Sequence, residues 1–473
     1  MPTRAFATRP GHVAPFARRR PVPTARRASE NDVENLPLPE GSLGLPLVGE
    51  TLSLVANPDD FGVSRYMKFG NVWKTNILGS NTVMVYGEKN VLSVLRREDV
   101  LVESKWPDVT KTLVGPKSLN LLKGQEHDRI KDLMASAFTK DAMRGYIPTM
   151  ERIFDSFLTE WVETLEKPFS SVEWGTYMAS ALFGSCLLGL EGDLATARRV
   201  QAMFDALAKG FQVVPVDLPF TAYGKAVEAR KSLLKEVEAS VRKIKSGESC
   251  GSGLEFMMDA RDGNGKGLTT DELEDAVLAM VYGNASMGPT CAKILQYVGN
   301  PKVLDKLRQE QIEVVASKGS ALCLEALDSM KYCTAVVQEI LRITPIVPVA
   351  VKQAKITFEL EGFKVPAGWQ VFCHVGDSAT KYNADEFLPE RWLPEKGASA
   401  CPFQNSGGYS LPFVVGPRAC LGQPFVMTAL QIFLAVLVRG YDWRMMNPDE
   451  EWGIFPVPRP KEGLLVSSFE KRR

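Results

Sequence analysis

Cys420 stands in the run Phe413-Val-Val-Gly416-Pro417-Arg418-Ala-Cys420-Leu-Gly422. A single cysteine here occupies a short loop bounded by glycine and proline, and an apolar run at helical spacing, Phe425 to Leu437, follows it. These are the requirements of a thiolate that serves as the fifth ligand of a haem iron: an unprotonated sulfur, close approach of backbone, and shelter from water. Gly416 and Gly422 remove side chains where backbone passes the macrocycle. Arg418 sets a cation beside the loop, where a propionate can pair with it. The helix expected from Gly422 onward turns its positive end toward the sulfur and favours the anion.

The pattern Phe-x-x-Gly-x-Arg-x-Cys-x-Gly, carried by Phe413, Gly416, Arg418, Cys420 and Gly422, resembles the haem-ligand signature of the cytochrome P450 superfamily. A second stretch agrees. The spacing of Leu327, Met330, Val337, Ile340 and Leu341 predicts an amphipathic helix over Leu324–Arg342, and Thr344-Pro345 ends it. Glu339 and Arg342, three apart, share a face of that helix. With the later Pro389-Glu390-Arg391-Trp392 they resemble the Glu-x-x-Arg helix and Pro-Glu-Arg segment of the same family. The resemblance implies a buried structural ion triad of Glu339, Arg342 and Arg391. A third set of matches begins at Leu36-Pro-Leu-Pro-Glu-Gly-Ser-Leu-Gly-Leu-Pro and runs through Trp106-Pro107, Gly124-Gln-Glu-His127, Ala137-Phe138 and Pro215-Val-Asp217-Leu-Pro219. It is similar to the clan of retinoic acid hydroxylases, their cyanobacterial relatives, and plant steroid and diterpenoid-acid oxidases, with the retinoic acid hydroxylases fitting best.

The expected fold is therefore mainly α with small β-sheets, an α+β chain of the cytochrome P450 type. It is read as one haem domain over 36–473, preceded by an Arg/Pro-rich segment over 1–35. Helical spacing predicts helices near Glu126–Phe138, Ile147–Glu166, Glu173–Leu190, Leu194–Ala208, Lys225–Lys245, Thr270–Val298 and Pro301–Ser317, and strands near Val72–Ile77, Thr82–Tyr86 and Ile356–Phe372. The formal net charge of +0 gives no footprint for nucleic acid. The 8 cysteines are scattered, so no disulfide framework is implied. The 3 histidines, His12, His127 and His374, are too dispersed for a zinc-hydrolase centre. Residues 1–29 hold seven arginines, from Arg4 to Arg27, and no acid, which is the composition of an organelle transit peptide. A plastid is the expected destination, with the mitochondrion as the alternative. No run approaches the ~20 apolar residues of a membrane span. The electron donor expected for such a chain is ferredoxin carrying NADPH-derived electrons, and the expected state is a monomer. The apolar stretch Phe211–Phe220 offers a peripheral membrane contact or a roof over the substrate.

In Thr270–Val298 the chain departs from the family it resembles. Where the family has Ala/Gly-Gly-x-Asp/Glu-Thr, this sequence reads Tyr282-Gly283-Asn284-Ala285-Ser286. Gly283 matches the glycine that admits oxygen, Ser286 takes the alcohol position, and Ala285 replaces the acid that relays protons. Asn284 can orient a water but cannot titrate. Pro289 kinks the helix. Three consequences are open: water alone supplies protons, the substrate's own hydroxyl or carboxylate completes the relay, or the enzyme rearranges a peroxide without dioxygen. Other haem contacts drift too. His127 and Lys131 stand where an aromatic or His and an Arg are usual, and Lys352 replaces an Arg, so the resemblance implies Arg418, Lys131, Lys352 and His127 as the propionate-side residues. Ala429 replaces a Glu, and the stretch between His374 and Tyr382 is short.

The substrate side, Trp106, Val347 and Pro348 with Phe211, Val214, Pro215 and Val349, is apolar and suits a lipid-like ligand. The function expected is hydroxylation of an isoprenoid-type molecule (retinoid or apocarotenoid, sterol, or diterpenoid) by a haem b monooxygenase. The alternatives are a dioxygen-independent haem-thiolate isomerase or dehydratase, and a haem protein that binds lipid without turnover.

Overall fold

The structure, a computed structural model, describes residues 33–164, 168–211, 213–375, 386–393, 411–453 and 458–472. Most of the segment 1–35, and the chain from 376 to Tyr382, lie outside the described residues.

Ten helices position the site: α1 (Glu88–Leu95), α2 (Gly124–Met134), α3 (Lys140–Thr164), α4 (Ser171–Leu182), α5 (Leu194–Gly210), α6 (Ala222–Lys245), α7 (Thr270–Asn284), α8 (Met287–Val298), α9 (Lys331–Ile343) and α10 (Gln423–Gly440). Their starts are set by local chemistry. Ser170, Asp193 and Thr221 cap α4, α5 and α6 by accepting from the backbone N–H of Glu173, Thr196 and Gly224. Thr269 and Glu272 close a reciprocal capping box at the start of α7.

A five-stranded sheet stands beside the helices. Its strands are β1 (Val72–Ile77), β2 (Ser80–Val85), β3 (Val102–Glu103), β4 (Val349–Ala354) and β5 (Gln370–His374), in the order β1-β2-β5-β4-β3. The β2–β5 pair is parallel and the others antiparallel. The stretch expected as one strand region, Ile356–Phe372, divides: Phe358–Leu360 and Phe363–Val365 form a separate hairpin, and β5 joins the large sheet.

α10 is the centre of the helical core. Phe425, Leu430, Phe433, Leu434 and Leu437 are buried, and Phe433 meets Phe154 of α3 with ring centroids 5.3 Å apart. Contrary to the sequence reading that no run approaches a membrane span, it is the one described helix long and apolar enough to cross a membrane, and 56% of that stretch is buried inside the fold. Its apolarity thus serves the interior. α4 and α8 lie backbone to backbone, because Gly175 and Gly288 meet there: a Cβ added to Gly175 would sit 2.7 Å from the Gly288 carbonyl oxygen. This close crossing fixes the path of α8 and of the α7 end that precedes it.

Candidate active site

The Cys420 loop rests on the last turn of α1. Gly416 has φ +82°, and a Cβ there would come within 2.4 Å of the Leu95 carbonyl oxygen, so only glycine allows the approach. Val414, a β-branched residue, is held at φ 59°, a conformation that costs on the order of 1–3 kcal/mol. The loop is closed by the Cys420 N–H donating to the Phe413 carbonyl at 2.9 Å. Cys186, Cys291, Cys333 and Cys373 are buried, whereas Cys420 is exposed. Yet burial among surrounding protein atoms pushes its thiol up, opposed by the N–H groups of Gly422 and Gln423 and by the Lys131 ammonium. Both observations hold if the sulfur faces an internal slot and not the outer surface. A metal ion arriving there displaces the proton outright.

The predicted cations converge on this loop, though not as free ligands. Lys131 of α2 donates to the carbonyl oxygens of Pro417 (2.5 Å) and Ala419 (3.1 Å). Arg418 donates to Leu119 at 2.8 Å and to Leu122, which ties the loop to the segment before α2. Burial and then the Arg418 charge lower the pKa of His127, which accompanies them as a buried ring hydrogen-bonded to Asp128. Lys352 is engaged within the protein. Its ammonium is 2.7 and 2.9 Å from the two oxygens of Glu98 and 2.8 Å from Ser104 Oγ. Its three donors are therefore taken, and it contributes charge, not a hydrogen bond, to any propionate. Glu98 was not singled out in the sequence. It is 3% exposed, also lies 3.5 Å from Arg418 Nε, and joins β4 to the Cys420 loop. Its one sequence signal is its place just past the apolar α1.

The triad implied by the resemblance is brought together. Glu339, fully buried, accepts from Arg342 Nε and Nη2 (both 2.8 Å), Arg391 Nε (3.0 Å), Trp392 Nε1 (2.8 Å) and the Leu388 N–H (2.9 Å). The carboxylate has every acceptor site used, the condition under which a buried charge is tolerated.

On the other side, the helix expected over Thr270–Val298 is interrupted at Ala285-Ser286. Pro289 lacks the N–H that would bond the Ala285 carbonyl, which breaks the ladder there. Gly283 is exposed, and a Cβ on it would meet nothing within 4 Å. Ser286 Oγ donates to the Gly283 carbonyl at 2.8 Å. Asn284 departs from the role expected of it. Its amide is buried and donates to Ser180 Oγ (3.0 Å) and Gln201 Oε1 (3.4 Å), on α4 and α5. Trp106 and Val347 are exposed and Pro348 is half-buried. The Pro348 carbonyl accepts from the Val375 N–H at 3.0 Å, which pins that segment beside the sheet.

These residues fit haem b. Cys420 supplies a sulfur that is accessible yet crowded by protein atoms, and Gly283 leaves room on its helix. Lys131, Lys352 and Arg418 gather three cations beside the loop, offset in part by Glu98, Asp99 and Asp128, and propionates are anions that such a cluster can pair with. Arg418 Nε is buried with no hydrogen-bond partner of its own. When bound, the haem supplies dioxygen activation, with the thiolate lending electron density. The chain's residues hold the sulfur, balance the charge and exclude or admit water.

The site defines a haem-thiolate oxygenase. The chain matches the Cytochrome P450 family over residues 39–466 and belongs to it. Among curated proteins it is similar to cytochrome P450 26B1 of Danio rerio, 29% identical over 92% of this chain and 87% of that one. It is also similar to putative cytochrome P450 120 of Synechocystis sp., 28% identical over 93% and 98%. Among solved structures it resembles retinoic acid bound cyanobacterial CYP120A1, with TM-score 0.80 and 26% identity over 93% of this chain and 100% of that chain. The protein is a cytochrome P450 monooxygenase.

Proposed function

We propose that this monooxygenase hydroxylates an apolar isoprenoid-type substrate, with a retinoid or apocarotenoid favoured over a sterol or diterpenoid. The observation that carries the reading is the match, along essentially the whole of both chains, to a protein solved with retinoic acid bound. The apolar Trp106, Val347 and Pro348 are in keeping with it. Electrons come from NADPH through a ferredoxin-like carrier, and the acid-free, Arg-rich segment within 1–35 directs the chain to a plastid. The exposed apolar side chains Val214, Val216, Leu218 and Phe220 form a patch suited to peripheral contact with a membrane. Ala285 keeps a second reading open, in which the same thiolate-ligated haem rearranges a peroxide without consuming dioxygen.

The test is a substrate panel of retinoids, apocarotenoids, sterols and diterpenoid acids, offered to the haem-loaded protein with ferredoxin and its reductase. A hydroxylated retinoid or apocarotenoid is expected. Turnover confined to sterols or diterpenoids moves the substrate class. Conversion of lipid hydroperoxides alone, with no reductase, replaces hydroxylation by the second reading.

A further inference from the structure

A cavity of about 480 Å³ lies behind the α7–α8 junction, between α4 and α5, and its lining includes Asn284 and Ala285 together with two carboxylates, Glu173 and Asp205. Ala285 and Gly283 are both exposed. Residues two positions apart on a helix, as Gly283 and Ala285 are, point about 200° apart around its axis, so these two open on different sides. The end of α7 is thus a thin wall with space on each face. The interrupted ladder leaves the Ala285 carbonyl without its usual donor, a polar group that water can bridge. A lining with several polar groups and this volume is one that water occupies.

Asp205 is tied to the wall by a chain of hydrogen bonds. Gln201 Nε2 donates to Asp205 Oδ1 at 2.8 Å. Gln201 Oε1 accepts from Ser180 Oγ at 2.6 Å and from Asn284 Nδ2 at 3.4 Å, and Asn284 Nδ2 also donates to Ser180 at 3.0 Å. Glu173 is less suited, because its carboxylate accepts from the Tyr177 hydroxyl at 2.9 Å, on its own helix α4. Asp205 lines the cavity and is exposed, while its Gln201 partner is buried.

We propose that Asp205 is the carboxylate that passes protons from solvent, through this cavity, to the Gly283 and Ser286 face of the helix, where Ala285 offers no titratable group. The proposal rests on the monooxygenase assignment. That reaction takes two electrons from the redox carrier and two protons from solvent, places one atom of dioxygen in a C–H bond and releases the other as water. Asp205 gives up a proton to cavity water and regains one from bulk solvent, so it ends unchanged. The amides of Gln201 and Asn284 do not titrate and act as positioning groups that keep the carboxylate and the wall in register.

The test has two parts. First, Ala285→Cys in the haem-loaded full chain is treated with a small thiol reagent under native conditions, and the modified peptides are mapped against exposed Cys250. Labelling of the introduced thiol at a rate within about tenfold of Cys250 is expected, and its protection while Cys250 reacts overturns the inlet. Second, product and hydrogen peroxide are counted per electron pair. Asp205→Asn keeps an acceptor for Gln201, so the fold is retained. It is expected to lower product about tenfold, with peroxide making up the difference and a larger solvent deuterium effect on product. Adding Ala285→Asp to Asp205→Asn is expected to restore coupling. If wild type is coupled and Asp205→Asn matches it within twofold, the proposal fails and the monooxygenase assignment stands. If wild type incorporates no oxygen, the assignment fails and takes the proposal with it.

Discussion

The Cys420 loop and the α7–α8 junction are built on opposite plans. Around Cys420 the polar groups are tied down: Lys131 and Arg418 bind four carbonyls, Glu98 holds Lys352, and Gly416 lies against Leu95. At the junction the helical ladder breaks, Gly283 and Ala285 leave space, and Ser286 bonds its own backbone. A metal ligand must be held to a fixed place, and a satisfied polar network does that. A distal side must admit oxygen, substrate and protons, and small residues at a helix break do that. The contrast explains why substitutions in the loop are expected to destroy the site while substitutions at the junction alter its efficiency.

The largest expected effect breaks the loop itself. Cys420→Ser should abolish the carbon monoxide difference spectrum of thiolate-ligated haem and all hydroxylation, while the chain still folds. Next is Glu339→Ala, which strands Arg342 and Arg391 in the interior. A loss of about 5 kcal/mol in unfolding free energy is expected, read by denaturant titration, with haem content falling in parallel. Glu98→Gln comes third. It leaves the Lys352 ammonium buried without its counter-ion, at a cost of about 3 kcal/mol. Replacing the pair together, as Glu98→Gln with Lys352→Met, should recover much of that loss, whereas a double variant no better than the single would remove Glu98 from the loop's support.

A pH prediction follows from His374, buried in β5 and stacked on Tyr86 with ring centroids 4.0 Å apart. Burial pushes its pKa down to about 4, against ~6.5 in an unfolded chain. The unfolded state therefore binds the proton first. Stability present above pH ~6.5 should be lost as pH falls toward 4, by about 3 kcal/mol in all. His374→Gln should flatten that part of the stability profile, measured by unfolding at pH 7 and pH 4.5. The smallest effect is expected at the junction: Ser286→Ala should change product per electron pair by less than about threefold, since the hydroxyl is already engaged by Gly283.

How much of this was legible in the sequence depended on range. The β1 strand was read at its observed bounds, Val72–Ile77, because a short strand is signalled by its own residues. Glu339 and Arg342 were legible because three-residue spacing puts them on one helix face. The continuous helix expected over Thr270–Val298 was wrong in one place. Pro289 signalled a kink, but a full break also reflects the close α4–α8 crossing, which no local pattern reveals. α1 is only eight residues long, too short to stand without tertiary contacts, and it was missed. Glu98 was missed for a related reason, since its partner Lys352 lies 254 residues away. The Asn284 amide could be read as polar, but not as turned toward Ser180 and Gln201.

The central claim, a thiolate-ligated haem that splits dioxygen despite Ala285, is tested most directly by isotope. The haem-loaded protein, reduced through ferredoxin and its reductase, is given a retinoid or apocarotenoid under oxygen-18 gas, and the product is weighed by mass spectrometry. One labelled oxygen atom per hydroxylated product is the result predicted. Product formed without label would contradict the account.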